Sequence, residues 1–258
     1  MINGIKKLAY KLLGQEKYLR FLQLGFYRMY AAGLLKNDET YKFHYFVQKL
    51  IKPGDTILDL GANLGYFSKI FATLTGSGGR VIAIEPVVPF FNLLKAALQS
   101  YPQCQFYNYA LGLEEKKIKM TVPRQAGYLR TGLAHIKREQ DEDKDNYTFE
   151  VDMKRGSVLL KNLEALHYIK CDIEGYEDVV LPEIKDIIQQ HRPLLQVETW
   201  GNHKSIVNEL MGALQYNCYM LIQNKLIKKQ NEKDDEGYVG DFLFVPFEKE
   251  KKLLQSLS

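Results

Sequence analysis

Two hydrophobic periods share this chain. Residues 5–35 place Ile5, Leu8, Leu12, Leu13, Leu19, Leu22, Phe26 and Met29 at three- and four-residue spacings, which predicts a helical segment. From Tyr41 onward, short apolar runs alternate with helix-like stretches. Residues 41–51 read as helix, KPGD turns into a strand over Thr56–Leu60, and a helix follows from Leu64 to Leu74, closed by TGSGG. RVIAIEP reads as a buried strand, FFNLLKAALQS as a helix and CQFYNYALG as a third strand. KKIKMTV and YTFEVDM alternate as half-exposed strands about a polar tract from Arg124 to Asn146, predicting a hairpin-like insertion over 123–150 with a long mobile connection. The series resumes with the strand HYIKCDIEG, the helix EDVVLPEIKDIIQQH, the strand RPLLQVETW, a helix over Lys204–Leu214, and the strands CYMLIQ and DFLFVPF. KKQNEKDDEG reads as a solvated loop.

Repeated strand–helix units predict an α/β fold: a mostly parallel, seven-stranded sheet with helices on both faces. Residues 1–44 form an N-terminal helical cap in this reading, and residues 45–250 form the main domain.

Charge changes the picture only locally. The net charge of +4 does not argue for nucleic acid, but residues 1–50 hold nine Lys/Arg against three acids. Residues 1–35 are therefore either a cap packed on the main domain or a basic amphipathic segment that rests on a membrane surface or partner. No uncharged stretch approaches the roughly 18 residues of a membrane span. Three scattered cysteines without a C-x-x-C pair suit a reducing compartment and argue against disulfides and zinc. A cytoplasmic protein is expected.

The chemistry starts at TILDLGANLGYFSKIFA, Thr56 to Ala72. In such sheets the ligand sits where the first strand turns into its helix. A phosphate-loop NTPase needs Lys and a hydroxyl after the last glycine, whereas Gly65 is followed by Tyr66 and Phe67. A dinucleotide enzyme needs G-x-G-x-x-G; this chain reads G-A-N-L-G, and Asp59 would stand beside a doubly anionic pyrophosphate. A cationic ligand without phosphate, S-adenosylmethionine, removes that conflict. Glu85, at the end of the second strand, can then accept both ribose hydroxyls. Asn63 tolerates unusual backbone angles and adds an amide.

ILDLGANLGYFS, VIAIEP, YALG, IKCDIEGYE, LLQVE and DFLFVP, in that order, resemble the FkbM-type methyltransferases over roughly residues 45–247. The resemblance implies a class I (Rossmann-like) S-adenosylmethionine-dependent enzyme, O-methylating sugars, glycans or natural-product scaffolds. It implies that Asp59, Gly61, Asn63, Gly65 and Glu85 bind the cofactor, with Ala110 near the adenine; Ala62, Tyr66, Pro86 and Asp172 complete the expected cofactor set. A nucleotide-dependent oxidoreductase and a non-catalytic protein with the cofactor fold are the alternatives.

On the acceptor side, Asp172 ends the fourth predicted strand, Glu174 follows, Glu198 ends the fifth, and His203 lies just beyond. Asp172, Glu174 or His203 could take the acceptor's proton. Converging acids also suit a divalent ion such as Mg²⁺. In the insertion, Arg124 and Arg130 could hold an anionic acceptor and Tyr128 could stack on a sugar ring. Nucleic-acid methylation is not expected: no Asn/Asp-Pro-Pro-Tyr segment occurs and the main domain is not basic.

Overall fold

The computed structural model describes residues 2–125, 128–139, 141 and 146–257, with side chains described from Tyr10 onward except that of Gln125. The expected apolar positions Ile5 and Leu8 thus have side chains outside the described residues. The first helix, α1, spans Ile2–Ala31 and bends at Gly14, where φ is 72°. A short α2 (Lys42–Phe46) precedes β1 (Thr56–Leu60), α3 (Tyr66–Thr75), β2 (Arg80–Ile84), α4 (Val88–Leu98), β3 (Cys104–Tyr107) and β4 (Ala110–Leu111). The insertion holds β5 (Lys116–Gln125), β6 (Tyr128–Leu129), β7 (His135–Ile136) and β8 (Asn146–Lys154). There follow α5 (Gly156–Leu159), β9 (Tyr168–Cys171), α6 (Glu177–Glu183), α7 (Lys185–His191), β10 (Leu194–Val197) and α8 (Gly201–Ala213). The hairpin strands β11 (Tyr216–Ile222) and β12 (Lys225–Lys228), then β13 (Phe242–Pro246) and α9 (Phe247–Leu257), complete the order.

The main sheet has the order β12-β11-β13-β10-β9-β1-β2-β3. Strands β10, β9, β1, β2 and β3 are parallel, while β13 pairs antiparallel with both β10 and β11. Successive residues of one strand enter opposite cores, as the two-residue period of a strand requires. Ile57 and Val81 pack with Phe67, Phe71 and Leu94 on one face; Leu58 and Ile82 pack with Val180, Ile188 and Met211 on the other. Strands this apolar on both faces are buried from both sides.

Three expectations need correction. The sheet has eight strands rather than seven, because KLIK pairs with β11 through a two-residue turn. Gln223 and Asn224 both have positive φ there, the geometry that matches hairpin twist. The single helix expected over EDVVLPEIKDIIQQH divides into α6 and α7 around Ile184, next to Pro182, which has no backbone N–H. KKQNEKDDEG is the exposed loop expected, except that a short 3-10 turn over Glu232–Asp235 buries Asp235, which pairs with Lys204 at 3.1 Å and Lys229 at 2.7 Å. The hairpin β5–β8 is as expected, but its connection contains β6 and β7, both paired with β5. Residues 126–127, 140 and 142–145 of that connection lie outside the described residues.

Helix α1 does pack on the main domain, and directly behind the glycine turn. Gln23 Nε2 donates to Leu64 O at 2.7 Å and Leu93 O at 3.1 Å, and Tyr27 OH donates to Gly65 O at 3.0 Å. Tyr18 and Leu19 are buried against Leu64, Phe90 and Tyr128.

Candidate functional site

The turn after β1 takes its shape from residues that tolerate left-handed backbone. Gly61, Asn63 and Gly65 have φ of 75°, 51° and 82°. Gly61 N and Ala62 N both donate to Ile84 O at 3.0 Å, which ties the turn to β2. The glycines serve packing rather than ligand approach. A Cβ on Gly61 would lie 1.8 Å from Asp172 O, and one on Gly65 would lie 2.9 Å from Leu94 Cδ1.

Glu85 closes this turn from the neighbouring strand. Its Oε2 accepts from Asn63 N and its Oε1 from Val87 N, each at 2.7 Å. Burial pushes its carboxyl up to about 7, although both amides favour the ionised form.

Two small cavities share Gly61, Pro86, Met120 and Ile173 and so form one cleft at the carboxyl ends of β1 and β2. One end is apolar, with Leu60, Ile84, Tyr109, Ala110 and Leu111. The other carries Asn63, Glu85, Asp172 and Glu174. Their volumes, about 40 and 50 Å³, are far below the roughly 300 Å³ of a small-molecule site. A strap of the insertion lines the cleft through Gly132, Ala134 and Ile136. His135 holds the strap through Asp141 at 3.1 Å.

A larger cavity of about 360 Å³ opens on the other side of Asp172. Tyr41, Phe43, His44, Tyr66 and Phe67 supply its aromatic walls, and Glu39, Glu198 and Asp241 supply carboxylates. Tyr30 OH donates to His44 O at 3.0 Å, which fastens this wall to α1, and the His44 ring stacks on Phe67 at 3.8 Å. Burial drives the His44 ring down to about 3, so it is neutral at ordinary pH.

Beneath the cavity runs a buried polar row. Register places Asp59, Lys170 and Gln196 side by side across β1, β9 and β10. Lys170 donates to Asp172 at 2.9 Å, and Gln196 hydrogen-bonds both Tyr168 and Asp241. Burial disfavours charge on Lys170, yet Asp172, Asp59 and Asp241 together hold its pKa above the usual range.

Asp172, Glu174 and Glu198 converge: one oxygen from each lies within 4.8 Å of the others. Burial opposes the ionisation of Asp172, but Lys170 and a hydrogen bond from Glu198 outweigh it and lower its pKa. Glu198 is pushed up to about 10 by burial and by the Asp172 charge. The pair therefore divides into an ionised Asp172 and a protonated Glu198. Glu174, in left-handed backbone with φ of 57°, is pushed up to about 8 by burial and then by Asp172.

Of the expected cofactor residues, Gly61, Asn63, Glu85, Pro86, Ala110 and Asp172 line the cleft. Asp59 does not. It is fully buried and accepts from Ser68 Oγ at 2.5 Å, so it faces the polar row rather than a ligand. Ala62 and Gly65 shape the turn from behind, and Tyr66 lines the aromatic cavity instead. His203 stays outside both cavities, with Nδ1 3.0 Å from Asp178 Oδ2. Tyr128 cannot stack on a sugar: it is buried against Tyr18, ring centroids 5.6 Å apart. The aromatic cavity is walled by Glu39–His44 and Val239–Asp241, and Gly132, Ala134 and Ile136 of the insertion line the cleft instead. Those segments, Lys170 and Glu177 were not singled out by sequence. Glu177 accepts from Ile173 N and Gly175 N and so closes the D-I-E-G-Y-E turn. A lysine inside a buried strand and the aromatic run YKFHYF were the available signals.

The residues present fit S-adenosylmethionine. Among the described residues each Glu85 oxygen accepts one amide, which leaves capacity for a ribose hydroxyl. The apolar end suits an adenine, and carboxylates stand where a cationic end would lie.

The chain is similar to known proteins. The family model described as the methyltransferase FkbM domain matches residues 59–219, more than half of the chain. The crystal structure of methyltransferase FkbM from Methylobacillus flagellatus KT superposes with a TM-score of 0.53 at 16% identity, covering 93% of this chain and 52% of that one. A S-adenosylmethionine-dependent O-methyltransferase from Thermotoga maritima gives a TM-score of 0.42 at 13% identity over 79% of this chain and 63% of that one. The AMB antimetabolite synthetase AmbE of Pseudomonas aeruginosa is 32% identical over 107 residues, 38% of this chain and 5% of that protein. This chain thus spans about half or less of the length of the first and last of these relatives. No helix among the described residues is long and apolar enough to cross a membrane. The chain belongs to the FkbM family of S-adenosylmethionine-dependent methyltransferases.

Proposed function

We propose that this methyltransferase acts on a hydroxyl of a saccharide or related polyhydroxyl compound, with Asp172 receiving the hydroxyl proton. One observation carries the reading: Asp172 lines both the cofactor cleft and the aromatic cavity. When bound, the cofactor supplies an electrophilic methyl group. The remaining work is positioning the hydroxyl and removing its proton. Asp172 is the ionised member of its cluster and can accept that proton, while protonated Glu198 and cationic Lys170 orient it. The cavity's aromatic walls can stack on a sugar ring and its carboxylates can accept from neighbouring hydroxyls. Glu85 holds the ribose through its two carboxylate oxygens.

The test is mass-spectrometric detection of methyl transfer to a panel of sugars and polyols, by wild type and Asp172→Asn. Asn cannot take the proton, so turnover at saturating cofactor should fall at least about a hundredfold, beyond any loss of cofactor affinity that follows from removing a carboxylate of the cleft. Full turnover by Asp172→Asn would remove it from the mechanism.

The Asp172, Glu174 and Glu198 oxygens supply a second reading, a divalent cation that orients a diol. The Lys170 ammonium 2.9 Å from Asp172 weighs against it, since it already balances that carboxylate. Turnover should survive EDTA. Loss in chelator with rescue by Mg²⁺ would reverse this preference.

A further inference from the structure

Helix α1 is two-faced. Tyr18, Leu19, Gln23 and Phe26 are buried against the domain, so its inward face is already satisfied. The opposite face holds Lys17, Arg20, Phe21, Leu24 and Arg28, spaced i, i+3, i+4, i+7 and i+11, a single stripe on a helix. All five are exposed, with Phe21 at 57% and Leu24 at 42%. Beside the stripe, a groove of about 710 Å³ between α1 and α4 carries Arg20, Leu24, Lys69, Val88 and Pro89. Val88 is also exposed and extends the apolar surface. Leu12 and Leu13, just before the bend at Gly14, are exposed too. Residues 1–35 contain six Lys/Arg and one acid, Glu16.

We infer that this stripe is a peripheral membrane-docking surface for anionic lipid. Large apolar side chains flanked by lysine and arginine are the pattern of a helix lying in the bilayer interface, where hydrocarbon and headgroup charge are both satisfied. The charge pattern selects this occupant over two others. A second copy docked by two-fold symmetry would set Lys17, Arg20 and Arg28 against their own counterparts. A nucleic-acid backbone would leave Phe21 and Leu24 without an apolar partner. Chain order links the surface to the site, since α1 leads through a short turn into Glu39–His44, the wall of the acceptor cavity.

The experiment is co-sedimentation of the full chain with phosphatidylcholine vesicles, with and without phosphatidylglycerol. Lys17→Glu/Arg20→Glu and Phe21→Ser/Leu24→Ser are run in parallel, with S-adenosylhomocysteine binding as the check on folding. Wild type should bind the anionic vesicles at least tenfold more tightly than the neutral ones. Each double variant should lose at least tenfold on anionic vesicles while binding S-adenosylhomocysteine normally. The inference is overturned if wild type stays in solution with both vesicle types, or binds both equally. It is also overturned if folded variants bind as wild type does, or if wild type forms a dimer that Phe21→Ser/Leu24→Ser dissolves.

Discussion

Replacing Gly61 by alanine tests whether the cofactor turn is locked against the acceptor-side strand. An L-residue at φ of 75° costs about 1–2 kcal/mol from its own Cβ. The new methyl would also lie 1.8 Å from Asp172 O, 2.9 Å from Asp172 C and 3.3 Å from Ile173 Cγ2. The first two atoms are backbone, so no side chain can swing away, and overpacking of this kind costs about 1–3 kcal/mol. The expected sum is about 2–5 kcal/mol, a fall of roughly 10 °C in Tm for a chain of this size. Gly54→Ala is the control, because Gly54 has φ of 89° and nothing within 4 Å of an added Cβ. It should lose only the backbone share, about 1–2 kcal/mol. Urea unfolding of both variants separates the two contributions. Equal destabilisation would refute the contact with Asp172 as the reason for glycine. If Gly61→Ala folds, its relief must displace Asp172, so S-adenosylhomocysteine affinity and turnover should fall together.

Two further substitutions probe the carboxylates. Glu198 is protonated at neutral pH, so Glu198→Gln preserves a donor to Asp172 and should lower turnover less than about tenfold, whereas Glu198→Ala should lower it far more; equal losses in the two would count against the shared proton. Lys170→Met leaves Asp59, Asp172 and Asp241 without their common cation and should cost about 3–5 kcal/mol in urea unfolding at pH 8. That loss should shrink at pH 4: the aspartates' folded pKa values then lie above their unfolded ones, so stability is present at low pH and lost as pH rises. A pH-independent loss would show that Lys170 acts by packing alone.

Much of the fold was legible because its strands announce themselves. TILDL, RVIAI, YIKC and FLFVP are short, apolar and bounded by turns, and all four lie in the main sheet. KLIK was missed because lysines at both ends disguise an edge strand, where charge protects the open edge. In the site, local spacing pointed to Gly61, Asn63 and Glu85, and all three line the cleft. The role of Asp59 was misread, because sequence places an acid before the glycines but does not tell which sheet face it enters. Only register shows Asp59 beside Lys170. The aromatic cavity draws on Glu39–His44 and Val239–Asp241, segments about 200 residues apart that no local pattern connects.

The central claim is that Glu85 anchors the cofactor in the cleft, and calorimetric titration of S-adenosylhomocysteine into wild type and Glu85→Gln across pH 6 to 8 tests it most directly. Burial holds Glu85 at about 7 in the free protein, and ribose hydroxyls favour its ionised form. Binding should therefore release protons and tighten as pH rises through that range. Glu85→Gln should bind at least tenfold more weakly at pH 8, about 1.4 kcal/mol, with a smaller pH dependence, the part left to Glu174 in the same cleft. Equal affinity in the two proteins at every pH, or no binding by folded wild type, would contradict the account.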